Sequence, residues 1–405
     1  MIVLLALAAP APSAAQATES GLPTLEDLGL WWASPDGRYQ AGFSGRLDLE
    51  GYLPDESPTG LLTDVDPFAA ARMRLFLDAF VGERLYGSLE LRVDHGETPR
   101  SGALAARVEQ LFVRARPTAA PVELQLGRFA SPFGSYAARH HTPADVFIRP
   151  PLAYDARTII CPTIAPGSAA GFLTWRDRPE EFRGKGAPIV WNVPYQWGAM
   201  ALVGEGRFDA RVAWMNSVVS SAPDWWALDL DGFGHGALVV GAGWLASPEL
   251  RLGASWTRGP YFGPLASGTL PAGSDRWDFD QEVWGAEASF SRGPVVVRGE
   301  LFHDSWEVPN VADEATDLSW YVEAQSDLMA GLWVAGRVGA THFGEIENPA
   351  GQSAQWDYDV WRTQLSAGYR VVRNAEIKIE WLRDDAAGRF DARDDLLSAQ
   401  LWWSY

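Results

Sequence analysis

Leu85-Tyr86-Gly87-Ser88-Leu89-Glu90-Leu91-Arg92-Val93-Asp94 places an apolar or small residue at every odd position and a polar or ring-bearing polar one at every even position. Successive side chains of a strand point to opposite faces, so this segment has one greasy face and one wet face. The same period of two runs through residues 43–50, 208–212, 250–256 and 375–381. Residues 68–81 could pass as an amphipathic helix. Met73, Leu75, Leu77 and Ala79 nevertheless alternate with Arg72, Arg74, Phe76 and Asp78, and the stretch reads as a strand.

The whole chain fits that reading. It has 405 residues, 33 Lys+Arg against 52 Asp+Glu, and a formal net charge of -19. Hydrophobic residues make up 47%, enough to bury a core or to face lipid, which excludes a disordered chain. A single cysteine excludes a disulfide framework and a cysteine-based zinc site. The acidity argues against a nucleic-acid partner, because phosphate binding needs clustered positive charge. Residues 2–9 are apolar, and Ala15-Gln16-Ala17 is an A-x-A cleavage site, so residues 1–17 read as a secretory signal peptide. That run is far short of a membrane-spanning helix. Residues 18–38 read as a short periplasmic segment, with Thr24 as a helix N-cap, before a barrel over residues 39–405.

Counting alternating segments gives sixteen strands, centred near Leu47, Leu75, Leu89, Leu111, Leu124, Leu202, Val212, Val240, Leu252, Ala286, Val297, Val322, Val334, Leu365, Ile377 and Ala399. The connections alternate in length. Short turns are expected at 81–84, 117–121, 204–206, 246–249, 291–294, 326–328 and 372–374. Long loops are expected near 53–68, 95–103, 129–194, 217–232, 258–280, 304–317, 342–357 and 383–393. An even strand count with loops sorted by length describes an all-β, closed antiparallel transmembrane barrel of the bacterial outer membrane. A soluble sandwich or propeller has no reason to sort its loops so.

Such a barrel places aromatic rings on its lipid face at the two interface levels. With a periplasmic N-terminus, Trp214, Trp256 and Trp381 fall near the ends of outward-running strands. Trp284, Trp320 and Trp361 fall near the starts of inward-running ones, so all six share the outer interface. Trp403 and Tyr405 fall at the inner interface. The closing alternation Leu397, Ala399, Leu401, Trp403, Tyr405 resembles the terminal signature read by the barrel assembly machinery. Lipid and lipopolysaccharide are the expected surroundings.

The wet faces are then lumenal, since a charge facing lipid costs about 2–4 kcal/mol near the midplane. Alternation assigns Arg72, Arg74, Glu90, Arg92, Arg114, Arg211, Arg251, Arg298, Glu300, Arg337, Arg362 and Arg370 to the lumen. Arg46, Asp48, Glu50, Glu376, Lys378 and Glu380 share that face. A barrel of about sixteen strands leaves an aqueous channel.

The third long loop, 129–194, is too long to be a passive connection. Leu126-Gly127-Arg128-Phe129 followed by Ser131-Pro132-Phe133-Gly134 resembles the strand-five exit motif of the phosphate-selective (polyphosphate) porin-like family of sixteen-stranded trimeric porins. The resemblance implies a homotrimer and a third loop folded into the lumen. It makes Arg128, Arg139, His140, His141, Asp145 and Arg149 the candidates for a pore constriction. With two lysines and many lumenal carboxylates, this chain departs from the basic lining of the phosphate-selective members. The expected function is diffusion of ions and small hydrophilic solutes through a mixed-charge channel. Acidic loops (Asp224, Asp229, Asp231; Asp275, Asp278, Asp280, Glu282; Asp313, Glu314, Asp317) suggest a weak cation preference.

Other functions have weaker signals. The six histidines (His95, His140, His141, His235, His303, His342) all fall in or next to long loops, but no H-E-x-x-H spacing occurs, so neither a metal nor a cofactor is expected. His303-Asp304-Ser305 has the residue types of a barrel hydrolase, yet neighbours on a strand face opposite sides, so no catalytic residue is assigned. Twenty tryptophans and many carboxylates would suit a secreted carbohydrate-active enzyme, but no spaced carboxylate pair stands out. A barrel specific for oligosaccharides would need inward aromatics, for which Phe76, Phe80, Phe112, Trp333 and Trp402 are available.

Overall fold

The computed structural model describes residues 30–54, 60–62, 66–96, 102–117, 120–140, 145–178, 182, 185–228, 230–348, 350–386 and 393–405. The signal-peptide segment 1–17, the Thr24 cap, Asp229 and His141 lie outside the described residues. Among the described residues, sixteen long strands are β1 (Tyr39–Pro54), β2 (Phe68–Val81), β3 (Leu85–Asp94), β4 (Ala105–Ala115), β5 (Val122–Ala130), β6 (Tyr195–Glu205), β7 (Phe208–Met215) and β8 (Ala237–Leu245), followed by β9 (Leu250–Pro260), β10 (Asp280–Arg292), β11 (Val295–Trp306), β12 (Ala315–Met329), β13 (Leu332–Phe343), β14 (Val360–Val372), β15 (Ala375–Ala386) and β16 (Arg393–Ser404). Each pairs antiparallel with the next, and β16 returns to β1 through Leu401↔Leu49 and Ala399↔Gly51, closing the sheet. All sixteen strand centres expected from the sequence fall inside these strands.

Closure explains the period of two. Along β14 and β15, Leu365 is 54% and Ile379 56% exposed on the outside, while Gln364 and Glu380 are fully buried on the inside. A sheet whose outer row is apolar and solvent-accessible while its inner row is charged and covered is built to stand in hydrocarbon. The fold is thus a multi-pass β-barrel of the outer-membrane type.

Three features depart from the simple reading. Trp31–Ala33 is a short strand, not a free leader. It pairs with β1 (Trp31↔Gly42) and continues the line of β16, whose Tyr405 bonds to Gly45 at 3.1 Å, so the inner stretch of β1 is not left as an open edge. The turn expected at 326–328 lies later. Strand β12 runs on to Met329, with a register shift between Asp327 and Met329, because Ser326 and Asp327 keep their partners Val334 and Trp333. A second shift, at Glu90/Leu91 opposite Gln110 and Val108, inserts one residue into β4 and turns Glu109 inward against the alternation.

The two faces respond differently to charge. Leu365→Arg, at mid-height on the outer row, is expected to cost about 2–4 kcal/mol. Ser44→Arg, on the inner row, is expected to cost about 0.5 kcal/mol or less. Urea unfolding in lipid vesicles measures both; equal costs would contradict the assignment of faces.

Candidate functional site

Strand β5 ends at Ala130 and β6 begins at Tyr195; the chain between them enters the barrel. Gly134 adopts a positive φ of 66° at the point of entry, a conformation that suits glycine. A Cβ there would also strike the Tyr154 hydroxyl. The segment carries its own apolar core, including Phe133, Tyr154, Ile159, Phe172 and Ile189, each 2% exposed or less. That burial makes it an ordered body.

Lumenal side chains of the wall hold this loop by its backbone. The Arg211 guanidinium donates to the carbonyls of Pro132 (2.7 Å) and Gly134 (3.1 Å). Glu300 accepts from the Ser135 amide (2.5 Å) and the Tyr154 hydroxyl (2.9 Å). Further round the ring, Glu380 accepts from the amides of Ile148 (2.5 Å) and Arg149 (3.3 Å). Lys378 donates to the Asp145 carbonyl at 2.5 Å and Ser366 to the Val146 carbonyl at 2.7 Å. Arg337 reaches the Arg149 carbonyl (3.0 Å) and Arg362 the Pro150 carbonyl (3.2 Å). Nearly all of these anchors come from β7 and β11–β15. An inward row of charged groups finds carbonyls and amides to pair with, which offsets the cost of covering it.

Strands β1–β4 carry a different array. Along them, cations and anions alternate: Arg46–Asp48 (2.7 Å), Arg74–Asp48 (2.9 Å), Arg72–Glu50 (3.2 Å), Arg72–Asp94 (2.9 Å), Arg92–Asp94 (2.7 Å) and Arg92–Glu109 (2.5 Å). Between this array and the loop lies a polar cavity of about 90 Å³, lined in part by Glu50, Arg72, Arg74, Arg92, Arg149 and Asp155.

The sequence candidates divide accordingly. Arg139 sits in the lumen, paired with Glu323 at 2.8 Å and bonded to the Tyr321 hydroxyl at 3.1 Å. His140 bonds through Nε2 to the Tyr195 hydroxyl and through Nδ1 to the Ala137 carbonyl, each at 2.7 Å. The Arg149 side chain pairs with Asp155 on the cavity wall. Asp145, in the loop, is buried, and its carbonyl accepts from Lys378 of the wall. Arg128 is still on the strand, opposite Leu111 and Trp197, and its half-buried side chain lies within electrostatic reach of Glu109 and Tyr195, the latter the partner of His140. Of the expected lining, Arg114 bonds Gln125, Arg251 pairs with Asp209, Arg298 with Glu323, Arg370 with Glu376, and Glu90 accepts from Gln110. The sequence reading missed Glu109, which alternation puts outside and the bulge brings in.

Asp155, in the loop, pins it through two arginines at once. Burial alone would raise its carboxyl, but the Arg149 and Arg362 guanidiniums outweigh burial and hold it below the usual carboxylate range. Arg362 meets it at 2.6 Å and holds Asp384 at 2.7 Å on its other side. A depressed carboxyl contributes stability above its unfolded value and loses it only as pH falls through the folded one, so this pin is intact at neutral and mildly acidic pH.

The tryptophans expected at the interfaces stand on the outer rows, with Trp214, Trp284, Trp361 and Trp403 exposed. The indole nitrogens of Trp256 and Trp284 both donate to Glu282, at 2.9 and 2.8 Å. The acidic mouth is thinner than its sequence suggested. Asp280 and Glu282 pair with Arg258, and Asp317 is buried opposite Asp304. Asp224, Asp231, Asp275, Asp278, Asp313 and Glu314 remain exposed. His303 and Asp304 lie on opposite faces, the first exposed opposite Trp284 and the second buried, so they form no joint group. Among the described residues no cluster of three or more His, Cys, Asp or Glu side chains could hold a metal.

No protein-family model matches the sequence. No curated protein matches it either. Solved structures do resemble the fold. OmpT, an outer membrane protein of Vibrio cholerae, aligns with a TM-score of 0.57 at 10% identity, over 91% of this chain and 98% of that one. The outer membrane channel DcaP of Acinetobacter baumannii aligns at 0.56 and 13% identity, over 92% and 99%. OmpF of Salmonella typhi, in complex with daunomycin, aligns at 0.54 and 11%, over 91% and 98%. At such identities the likeness establishes a shared barrel fold. It does not single out the phosphate-selective group that the loop motif resembles.

Asp155→Asn should loosen the loop. Removing one partner of a buried pair is expected to cost about 3–5 kcal/mol. Limited proteolysis of the intact barrel should then cut within residues 131–194 under conditions that spare the parent chain.

Proposed function

We propose that this chain is an outer-membrane porin, a passive channel for ions and small hydrophilic solutes. The observation that carries the reading is the division of the lumen. The third loop is fixed to β7 and β11–β15, and the alternating charges of β1–β4 face it across a small polar cavity. Solute would pass between the two. Arg72, Arg92 and Arg149, with their carboxylate partners, would form the narrow point. Their pairing makes the passage mixed in charge, so neither sign is strongly favoured there. Width would set the size limit and the rim carboxylates a mild bias toward cations.

Association of three copies is part of this proposal. The outer rows of β2–β5 hold Met73, Leu77, Leu85, Leu111, Val113 and Leu126 and no aromatic ring. The outer rows from β7 to β15 hold most of the exposed rings, Trp214, Trp244, Trp284 and Trp361 among them. An arc that faces a neighbouring copy has no interface level to mark, so it needs no girdle. A groove of about 570 Å³ beside this arc, lined by Gly51, Leu53, Ala69, Ile379, Leu397 and Ala399, offers apolar surface for the same contact.

Planar-bilayer recording tests the channel directly. Deleting 139–145 should raise single-channel conductance; an unchanged value would show that the loop does not narrow the passage. Reversal potentials across a salt gradient should show weak cation preference, and anion preference would remove that part of the reading. Leu111→Arg together with Leu126→Arg should convert a detergent-resistant oligomer to monomers on native gels, and persistence of the oligomer would exclude this arc as the contact.

A further inference from the structure

An aromatic row crosses the lumenal face of β1–β4 and runs in under the edge of the third loop. It begins with Trp31, whose ring lies over Gly42, where a Cβ would come within 2.5 Å of it. Gly42 belongs to the inward row of β1, so Trp31 is folded inward over the short-turn rim. From there the ring centroids step to Phe80 (6.2 Å), Tyr86 (4.9 Å), Phe112 (5.8 Å) and Phe129 (6.4 Å). Strand pairing sets the first of the barrel steps directly, Phe80↔Tyr86; Phe112 lies diagonal to Tyr86, whose own partner is Arg114, and Phe129 diagonal to Phe112, whose partner is Gly127. Trp31, Phe80 and Tyr86 are partly exposed, while Phe112 and Phe129 are buried and join the row to the core of the loop.

Half-buried rings on a wall otherwise lined by ion pairs need an explanation. The accessible edges of Trp31, Phe80 and Tyr86 form an apolar strip rimmed by polar groups, the arrangement of a contact surface. Lipid contact does not account for it, because the row is on the lumenal side. The rings are also set among hydrogen-bonding groups. Asp78 accepts from the Tyr86 hydroxyl at 2.5 Å and fixes that ring's tilt. Ser88 stands across from both Asp78 and Phe112. Arg114 lies 5.6 Å from the Phe112 centroid and donates twice to Gln125.

We propose that this row is a binding track for a linear oligosaccharide, a conclusion that rests on the channel reading. A pyranose ring has a face of C–H bonds, which stacks on an aromatic face, and a rim of hydroxyls, which donate and accept hydrogen bonds. A row of several rings is longer than one sugar and fits a ligand that repeats its flat face. Carboxylate, hydroxyl, amide and guanidinium groups beside the row match the hydroxyl rim. A single aromatic acid would use one ring and leave the others idle. The track would raise the local concentration of chain sugars at the short-turn end of the passage.

The test uses the full chain with maltohexaose, cellohexaose, glucose and benzoate as probes. The hexasaccharides should block the ion current of the parent protein at millimolar concentration, and glucose should block far less. Phe80→Leu together with Tyr86→Leu should raise the half-blocking concentration by about tenfold, with unblocked conductance kept. Tyr86→Phe should keep most of the block. Trp31→Phe provides a second readout: the parent-minus-variant tryptophan fluorescence in detergent should change on adding hexasaccharide, whether or not the protein conducts. Conductance without block or fluorescence change would overturn the track and leave the channel standing. Fluorescence change without any conductance would overturn the channel and support the track as a binding site. Block by benzoate alone would overturn the oligosaccharide assignment.

Discussion

In hydrocarbon a backbone amide or carbonyl without a partner costs several kcal/mol, and no water is present to rescue it. A strand can meet that requirement only if both of its edges are paired, so the sheet must close. Everything else here depends on the closed ladder from β1 round to β16 and back. Even the short strand Trp31–Ala33 follows the rule, since it covers the part of β1 that β16 does not reach. Once the ring is closed, each strand has an outside and an inside, and the two-residue repeat sorts lipid from water without further instruction.

Closure also concentrates charge. Inward rows that would be dilute on an open sheet converge in one lumen, where a low local dielectric makes unpaired charge expensive. The molecule answers in two ways. On β1–β4 the charges pair with one another, Arg72 and Arg92 sharing Asp94. On β11–β15 they bind the backbone of the third loop, and the loop in turn covers them. The loop's place in the lumen and the burial of Glu380, Lys378 and Arg362 are therefore one arrangement seen from two sides. The wall of β1–β4, with the outer rings of the aromatic row, is what that arrangement leaves over.

Much of the candidate site was legible by alternation alone. Arg72, Arg74, Arg92, Arg337 and Arg362 fall on the inner face because their neighbours are aliphatic and the strand period is two. The loop's importance was legible from its length. Its attachment was not, because Asp155 finds Arg362 across 207 residues of chain, a separation that no local pattern encodes. Glu109 was missed because a one-residue bulge inverts the alternation, and nothing in the sequence of β4 by itself marks where the extra residue sits. Arg128 was read from its motif as part of the loop; it is still on the strand, and its side chain reaches toward Glu109, which the alternation had also left outside.

By itself the sequence determined the strand count, the two faces and the sorting of short turns from long loops. Each is a local property, set by side-chain chemistry repeating along a single segment. Only the tertiary structure decided which wall the third loop occupies, which arginines are consumed in holding it, and which rings line up across β2, β3 and β4. Those outcomes depend on register and curvature, which bring residues from distant strands to the same height in the barrel, and height is a property of the closed ring rather than of any strand within it.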